Sequence, residues 1–252
     1  MMSEKPTIVA IIPARYDSSR FPGKPLALLA GKPMIQHVYE RTRGCPLVSQ
    51  VVVATDDQRI YQAVEEFGGR VVMTSPEHPS GTDRVAEVAA GLDAELVVNV
   101  QGDEPLITPH VIDQAIEPLL EDSSLPMSTL AHRLDGHEDL DNPDVVKVRT
   151  DQEGYAVDFF RRPDPDTGGR ATQGRLLRHI GLYVYRRQHL LKLAALEPTA
   201  RELTLGLEQL RPLESGLRIK VVQTEYISHG VDRPRDLERA ERILRGRKEA
   251  VT

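Results

Sequence analysis

Three short stretches of this sequence carry residue types suited to gripping phosphate and a hard metal ion. The first is Pro13-Ala14-Arg15-Tyr16-Asp17-Ser18-Ser19-Arg20-Phe21-Pro22-Gly23-Lys24-Pro25. Its three cations, Arg15, Arg20 and Lys24, its two serines and its glycine can offer charge and backbone N–H groups to a polyphosphate. It is not a Walker A loop, because Ser18 stands where the first glycine belongs and Pro25 follows Lys24; nor is it a GxGxxG turn. A solvated basic loop is the plainer reading. The second stretch, Asn99-Val100-Gln101-Gly102-Asp103-Glu104-Pro105, follows an apolar run and ends it in a carboxylate. Mg²⁺ takes such hard oxygen ligands, usually one or two carboxylates together with substrate phosphates. Gly102-Asp103 could equally form a turn with Asp103 capping the next helix. The third is Gly230-Val231-Asp232, just before Pro234. Asp232 suits a helix cap with proline in the first turn. It also suits a second carboxylate on the same metal as Asp103, since capping does not prevent coordination.

Other polar residues are weaker signals. His179, in Arg178-His179-Ile180-Gly181, opens an expected strand and reads as a hydrogen-bonded structural histidine. Glu208 and Gln209 fall inside an expected helix, Leu203–Glu214, where neighbours point about 100° apart. Periodicity leaves both solvated. Ser80-Gly81-Thr82-Asp83-Arg84 looks like a helix N-terminus, with either a capping or an anion-binding use.

These residues need a frame that brings distant turns together, and the first half of the chain supplies the pattern of one. Apolar, β-branched runs at Thr7–Ile12, Gln50–Thr55, Arg70–Met73 and Leu96–Val100 alternate with helical spacing at Pro33–Arg43, Gln58–Phe67 and Thr82–Gly91. That alternation predicts βαβ units and a doubly wound, mostly parallel α/β sheet. The runs lack period-two alternation, which predicts burial on both faces. Ligands of such sheets bind beyond the carboxyl ends of the strands, where the first two stretches fall. From about Pro126 the pattern changes to strands in succession: Met127–His132, Val145–Arg149, Gly154–Phe160 and His179–Arg186. A mixed or antiparallel lobe of the same single domain, spanning about 126–200 within 1–252, is expected there. Asp135–Asp144 and Arg162–Gly174 read as surface loops. A strand at Leu217–Ile227 and a helix from Pro234, with Leu237, Ala240, Ile243 and Leu244 on one face, close the chain.

Composition limits the alternatives. The chain has 252 residues, 40% hydrophobic and 28% charged, enough for a sizeable core and too apolar for general disorder. A net charge of −6 argues against a sequence-independent grip on nucleic acid. No apolar run approaches the roughly 18 residues of a membrane span, and the Ile8–Ile12 stretch is too short for a signal peptide. One cysteine, Cys45, excludes an internal disulfide and a cysteine zinc site. A soluble, cytoplasmic protein is expected.

The string IIPARYDSSRFPGKPLALLAGKPMIQHVYER resembles the opening of 3-deoxy-manno-octulosonate cytidylyltransferases, the CMP-Kdo synthetases. The resemblance continues in order through VVVATDD, SGTDR, VVNVQGDEP, NPDVVKV, LRHIGLYVYR, LEQLR and GVDRPRDLERA, and so covers essentially the whole chain. Acylneuraminate cytidylyltransferases share the first loop more loosely and lack the LRHIG and LEQLR blocks. The resemblance implies transfer of CMP from CTP to an acidic 3-deoxy-ulosonic sugar (Kdo) with release of pyrophosphate, in lipopolysaccharide synthesis. It implies that Arg15, Ser18 and Lys24 hold the CTP phosphates. Asp103 and Asp232 would bind Mg²⁺. Arg84, Gln101, Arg161, His179, Tyr183, Glu208 and Gln209 would surround the sugar acid. It further implies a homodimer assembled through the second lobe. One stretch departs from the family: where members usually read YFSRxxIP, this chain has Asp158-Phe159-Phe160-Arg161-Arg162-Pro163-Asp164-Pro165. An altered acid such as 8-amino-8-deoxy-Kdo, paired with Asp158 or Asp164, or a neuraminate-like acid, is therefore a second reading. A catalytically silent nucleotide- or sugar-binding paralogue is a third. The retained Arg15, Lys24, Asp103, Asp232 and His179 weigh against silence.

Overall fold

The computed structural model describes residues 6–18, 20–134, 140–162 and 174–249. Ser19, Asp164 and the prolines on either side of it lie outside the described residues, as does most of the expected loop Arg162–Gly174. The chain forms two compact units, Met1–Asp113 with Ser228–Thr252, and Gln114–Ile227.

In the first unit β1 (Ile8–Ala14) is followed by a hairpin of β2 (Leu28–Leu29) and β3 (Lys32–Pro33), then α1 (Met34–Arg43) and β4 (Gln50–Thr55). Next come α2 (Gln58–Glu66), β5 (Val71–Met73), α3 (Gly81–Ala90) and β6 (Leu96–Asn99). β6, β1, β4 and β5 lie side by side, all parallel, with Ile11 opposite both Val52 and Asn99. Ala10, Ile11 and Ile12 are all fully buried. Successive strand residues point to opposite faces, so both faces of β1 are covered. The expected α/β architecture is present, with boundaries within two residues of those read from the pattern.

α4 (Pro109–Glu121) leads into the second unit, which holds β7 (Met127–Arg133), β8 (Lys147–Thr150), β9 (Ala156–Phe160) and β10 (Arg175–Arg186). After these come α5 (Arg187–Ala194), α6 (Ala200–Leu205), α7 (Leu210–Glu214) and β11 (Ile219–Gln223). β10 runs antiparallel to both β7 and β8, β9 antiparallel to β8, and β11 parallel to β7. The last helix, α8 (Pro234–Glu249), belongs to the first unit. Its Ala240 and Leu244 are buried, in one cluster with Leu29, Met34, Leu106 and Val231, as the apolar face predicts.

Three expectations need correction. The helix read over Leu203–Glu214 is two helices, because Gly206 adopts φ +60° and ends α6 in a left-handed cap. Glu208 and Gln209 consequently sit in a turn, not on a helix face. His179 lies inside β10 instead of opening it, and the strand read over Leu217–Ile227 is confined to β11. α4 and α5 were not anticipated. Pro118 inside α4 resembles a breaker, although Val111, Ile112, Ala115, Ile116 and Leu119 form a buried helical stripe.

Candidate functional site

Beyond β1 the chain turns through the basic loop. Gly23 has φ +69°, its N–H donates to the Tyr16 carbonyl at 2.9 Å, and a Cβ there would meet the Tyr16 ring at 3.1 Å. Only glycine takes that conformation without strain. It launches a 3-10 turn, Lys24–Leu26, that carries the Lys24 side chain inward to 15% exposure. Lys24 Nζ donates to Asp103 Oδ2 at 2.8 Å and to Asp232 Oδ1 at 3.4 Å. Arg20 Nη2 donates to the same Asp232 oxygen at 3.1 Å. Sequence reasoning placed Arg20 in the loop without giving it this partner.

The two carboxylates are brought together by backbone. Val100 N–H bonds the Ile11 carbonyl at 3.1 Å, so the turn after β6 leaves beside β1. Gly102 then passes so close that a Cβ would sit 2.9 Å from the Pro13 carbonyl oxygen. Val231 N–H donates to the Asp103 carbonyl at 2.9 Å, tying the Asp232 turn to the Asp103 turn. Of the two uses open to Asp232, capping falls to another residue. Asp236 accepts from the backbone N–H groups of Asp232 and Arg233, at 3.1 and 2.8 Å. The Asp232 carboxylate is thereby left to face the cations. Asp236, an acid in the first turn of α8, was the readable signal for that.

The other candidates of this unit are also placed. Arg15 is exposed and pairs with no acidic side chain among the described residues. Ser18 Oγ accepts from Phe21 N–H at 3.4 Å. Gln101 Nε2 donates to Asn99 Oδ1 at 3.2 Å, and the fully buried Asn99 has no acceptor for its own Nδ2 among the described residues. An unpaired buried donor at a strand's carboxyl end fits a ligand-facing position. Arg84 is buried, with Nη2 on Asp56 Oδ2 at 2.7 Å and Nη1 on Thr74 Oγ1. Ser80 accepts from Asp83 N–H at 3.1 Å, so that segment is a helix cap.

A second polar cluster lies within the other unit. The β10–β7 register shifts between Ile180 and Tyr183, and Thr129 of β7 spans this bulge. Its hydroxyl lies 2.8 Å from the Leu182 carbonyl and 2.9 Å from His179 Nε2. Having given its one proton to a carbonyl, Thr129 must accept from His179, which sets the Nε2–H tautomer and leaves Nδ1 an acceptor. Burial pushes the His179 pKa down to about 3, so the ring is neutral near pH 7. Burial likewise raises Tyr183, with the charges of Tyr185 and Glu208 adding to it. The Tyr183 hydroxyl donates to Gln209 Oε1 at 3.2 Å, and Gln209 is only 4% exposed. That corrects the solvated reading of Gln209: the turn after Gly206 aims it inward. Glu208 is half-buried in the same turn. Arg161 spends its guanidinium on carbonyls, those of Leu205, Pro143 and Gly206 at 2.9, 3.1 and 3.4 Å. Asp158 already has a cation, Arg201, at 2.8 Å.

The chain matches the family described as Cytidylyltransferase over residues 9–219. A 3-deoxy-manno-octulosonate cytidylyltransferase of Geotalea daltonii is 56% identical over 250 residues, covering 95% of this chain and 99% of that one. One of Geobacter sulfurreducens is 58% identical over 242 residues, covering 92% and 97%. A solved CMP:2-keto-3-deoxy-manno-octonic acid synthetase complexed with CTP superposes with a TM-score of 0.87 at 40% identity, covering 96% and 99%. The 4-diphosphocytidyl-2C-methyl-D-erythritol synthase of Anaerococcus prevotii, at 15% identity and a TM-score of 0.62, shares the fold. On its site-bearing loops, its fold and these likenesses, the chain belongs to the 3-deoxy-manno-octulosonate cytidylyltransferase family.

Proposed function

We propose that this chain transfers CMP from CTP to 3-deoxy-D-manno-octulosonate (Kdo), releasing pyrophosphate, with Mg²⁺ at Asp103 and Asp232. The observation that carries the reading is the convergence of both carboxylates on one ammonium of the phosphate loop. The donor set fits magnesium: both side chains supply hard oxygens already directed at a cation. Among the described residues no cluster of three or more His, Cys, Asp or Glu side chains gathers, which suits an ion that shares its shell with phosphates and water. When bound, the ion supplies charge neutralisation at the triphosphate.

The remaining chemistry falls to the chain's own residues. The sugar's 2-hydroxyl oxygen bonds to the α-phosphorus while the bond from that phosphorus to the pyrophosphate oxygen breaks, and the hydroxyl proton passes to a nearby carboxylate, Asp103 or Asp232. This in-line exchange asks for positioning and charge, not for a protein nucleophile. Arg15, Ser18 and Lys24 hold the phosphates, and the two cations meet the charge that grows on the departing pyrophosphate. Partly exposed pairs such as Lys24–Asp232 are worth about 1 kcal/mol or less, so Lys24 can exchange a carboxylate for a phosphate at little cost.

The sugar acid is read by His179, Tyr183, Glu208 and Gln209 of the second unit. A neutral His179 offers Nδ1 as an acceptor for a sugar hydroxyl, not a counter-charge for the carboxylate. The Arg201 partner of Asp158 supports Kdo over an amino analogue, because that acid is already neutralised. The resemblance supports a cytoplasmic homodimer serving lipopolysaccharide synthesis, and no helix among the described residues is long and apolar enough to cross a membrane.

Pyrophosphate release tests the reading, with CTP against UTP, ATP and GTP, and Kdo against 8-amino-Kdo and N-acetylneuraminate. Release with CTP and Kdo, abolished by EDTA and restored by Mg²⁺, is expected. Preference for another acid would overturn the substrate. Absence of release with every pair, despite nucleotide binding by calorimetry, would overturn the activity.

A further inference from the structure

We propose that Arg161 is a positioning residue for the sugar-acid site, acting through the turn that carries Glu208 and Gln209 and not by touching the substrate. The proposal rests on the reading of the His179–Tyr183–Gln209 cluster as the place where the sugar acid is recognised.

Arg161 is bonded at both its backbone and its side-chain end. Its backbone carbonyl accepts from Lys147 Nζ at 2.6 Å. Lys147 is fully buried, and its ammonium also donates to the carbonyls of Asn142 and Val145, at 2.7 and 3.0 Å. These carbonyls accept ammonium protons that burial would otherwise leave unsatisfied. The residue after β9 is thereby tied to the segment that precedes β8. The Arg161 side chain reaches on from this anchor. Nε and Nη2 grip the successive carbonyls of Leu205 and Gly206, while Nη1 returns to the Pro143 carbonyl in the segment Lys147 holds.

Leu205 and Gly206 are the end of α6, where the helix leaves carbonyls without intrahelical partners and the dipole favours a cation. Gly206 at φ +60° turns the chain away from that helix, so an outside donor has to satisfy them. The other flank of the turn is clamped by the buried pair of Arg211 with Glu202, in contact at 3.1, 2.9 and 2.6 Å. Between these two clamps lie Leu207, Glu208 and Gln209. Gln209 meets the Tyr183 hydroxyl only 3.2 Å away, so a small shift of the turn would undo that contact.

The same geometry disfavours Arg161 as a ligand. An arginine receives a carboxylate side-on through the edge formed by Nε and one terminal nitrogen. Here that edge is already engaged by Leu205 and Gly206.

The experiment compares steady-state constants for Kdo and CTP in Arg161→Lys, Gly206→Ala, the double variant and Gln209→Ala. Gly206→Ala disturbs the same turn without altering any cation, because its positive φ is strained for alanine while the space around it is open. The expected result is a rise of about tenfold in KM for Kdo in all three single variants, with KM for CTP within about twofold of the parent. The double variant should be no worse than the poorer of its two singles, since both act through one turn. A raised KM for Kdo in Gln209→Ala but not in Arg161→Lys would overturn the proposal. So would a rise in Arg161→Lys with none in Gly206→Ala, or full additivity of the two, since each would place Arg161 on the substrate itself. An unchanged KM for Kdo in Gln209→Ala would remove the underlying reading of the cluster, and the proposal with it.

Discussion

Replacing Gly102 by alanine tests how the fold aims Asp103. A Cβ at this position would lie 2.9 Å from the Pro13 carbonyl oxygen and 3.6 Å from Ile12 Cγ2 and Ile35 Cδ1. An ordinary contact needs roughly 3.5 Å, so the carbonyl contact must lengthen by about half an ångström. The Pro13 side cannot give way easily, because β1 is paired to β4 up to Ala14 opposite Thr55. The turn over Gln101–Glu104 must move instead, and Asp103 moves with it. The Val231 N–H bond to the Asp103 carbonyl carries the disturbance to Asp232. Overpacking of this kind costs about 1–3 kcal/mol, which in a chain of this size lowers Tm by roughly 2–12 °C. A misplacement of about 1 Å can cost about 100-fold in rate, so half of that should lower kcat about tenfold. Thermal unfolding and pyrophosphate release at saturating CTP and Kdo would measure both effects. Gly246→Ala in α8 is the control: nothing lies within 4 Å of its Cβ position, and the helix should gain up to about 1 kcal/mol with activity unchanged. Parental Tm and kcat in Gly102→Ala would refute the idea that this close approach sets the carboxylate.

Three further outcomes are expected. The pKa of buried His179 falls from 6.5 to about 3, so between those values the unfolded chain binds the extra proton and the folded one does not. Its contribution to stability is complete above pH 6.5 and is lost as pH falls toward 3. His179→Gln should therefore flatten the fall of unfolding free energy across that window, and an unchanged slope would refute the assignment. Cys45 is 2% exposed, and burial, aided by the Asp113 carboxylate that its thiol donates to at 2.9 Å, pushes its pKa up to about 12. A disulfide reagent at neutral pH should label it only after denaturation, and equal rates in native and unfolded protein would contradict this. Glu202→Gln removes the carboxylate that the buried Arg211 guanidinium meets at 2.6 Å and should destabilise the chain in urea unfolding by up to about 3–5 kcal/mol; a loss under about 1 kcal/mol would refute an electrostatic role for this pair.

The four parallel strands of the first unit could be read along the chain because each is buried on both faces and shows as an uninterrupted apolar run. Their helices showed as periodic stripes for the same local reason. The candidate residues at the strand ends were legible too: Lys24, Asp103 and Asp232 stood out by type and by place. Which use each served was not. Asp232 could cap or coordinate, and the choice depended on Asp236 taking the capping bonds. Gln209 looked solvated because periodicity assumed one helix through Gly206, whereas a left-handed glycine turned it toward Tyr183. Arg161 entered only through the family resemblance, as a residue around the sugar acid, and its carbonyl partners are set by tertiary structure.

Chain pattern therefore determined the sheet, the strand ends and the inventory of charges. Tertiary structure decided which charge meets which group. The reason is physical: apolar periodicity records burial within a few residues, while hydrogen bonds and ion pairs are settled between groups far apart in sequence. Lys24 meets Asp103 across 79 residues and Asp232 across 208. No local pattern encodes those separations.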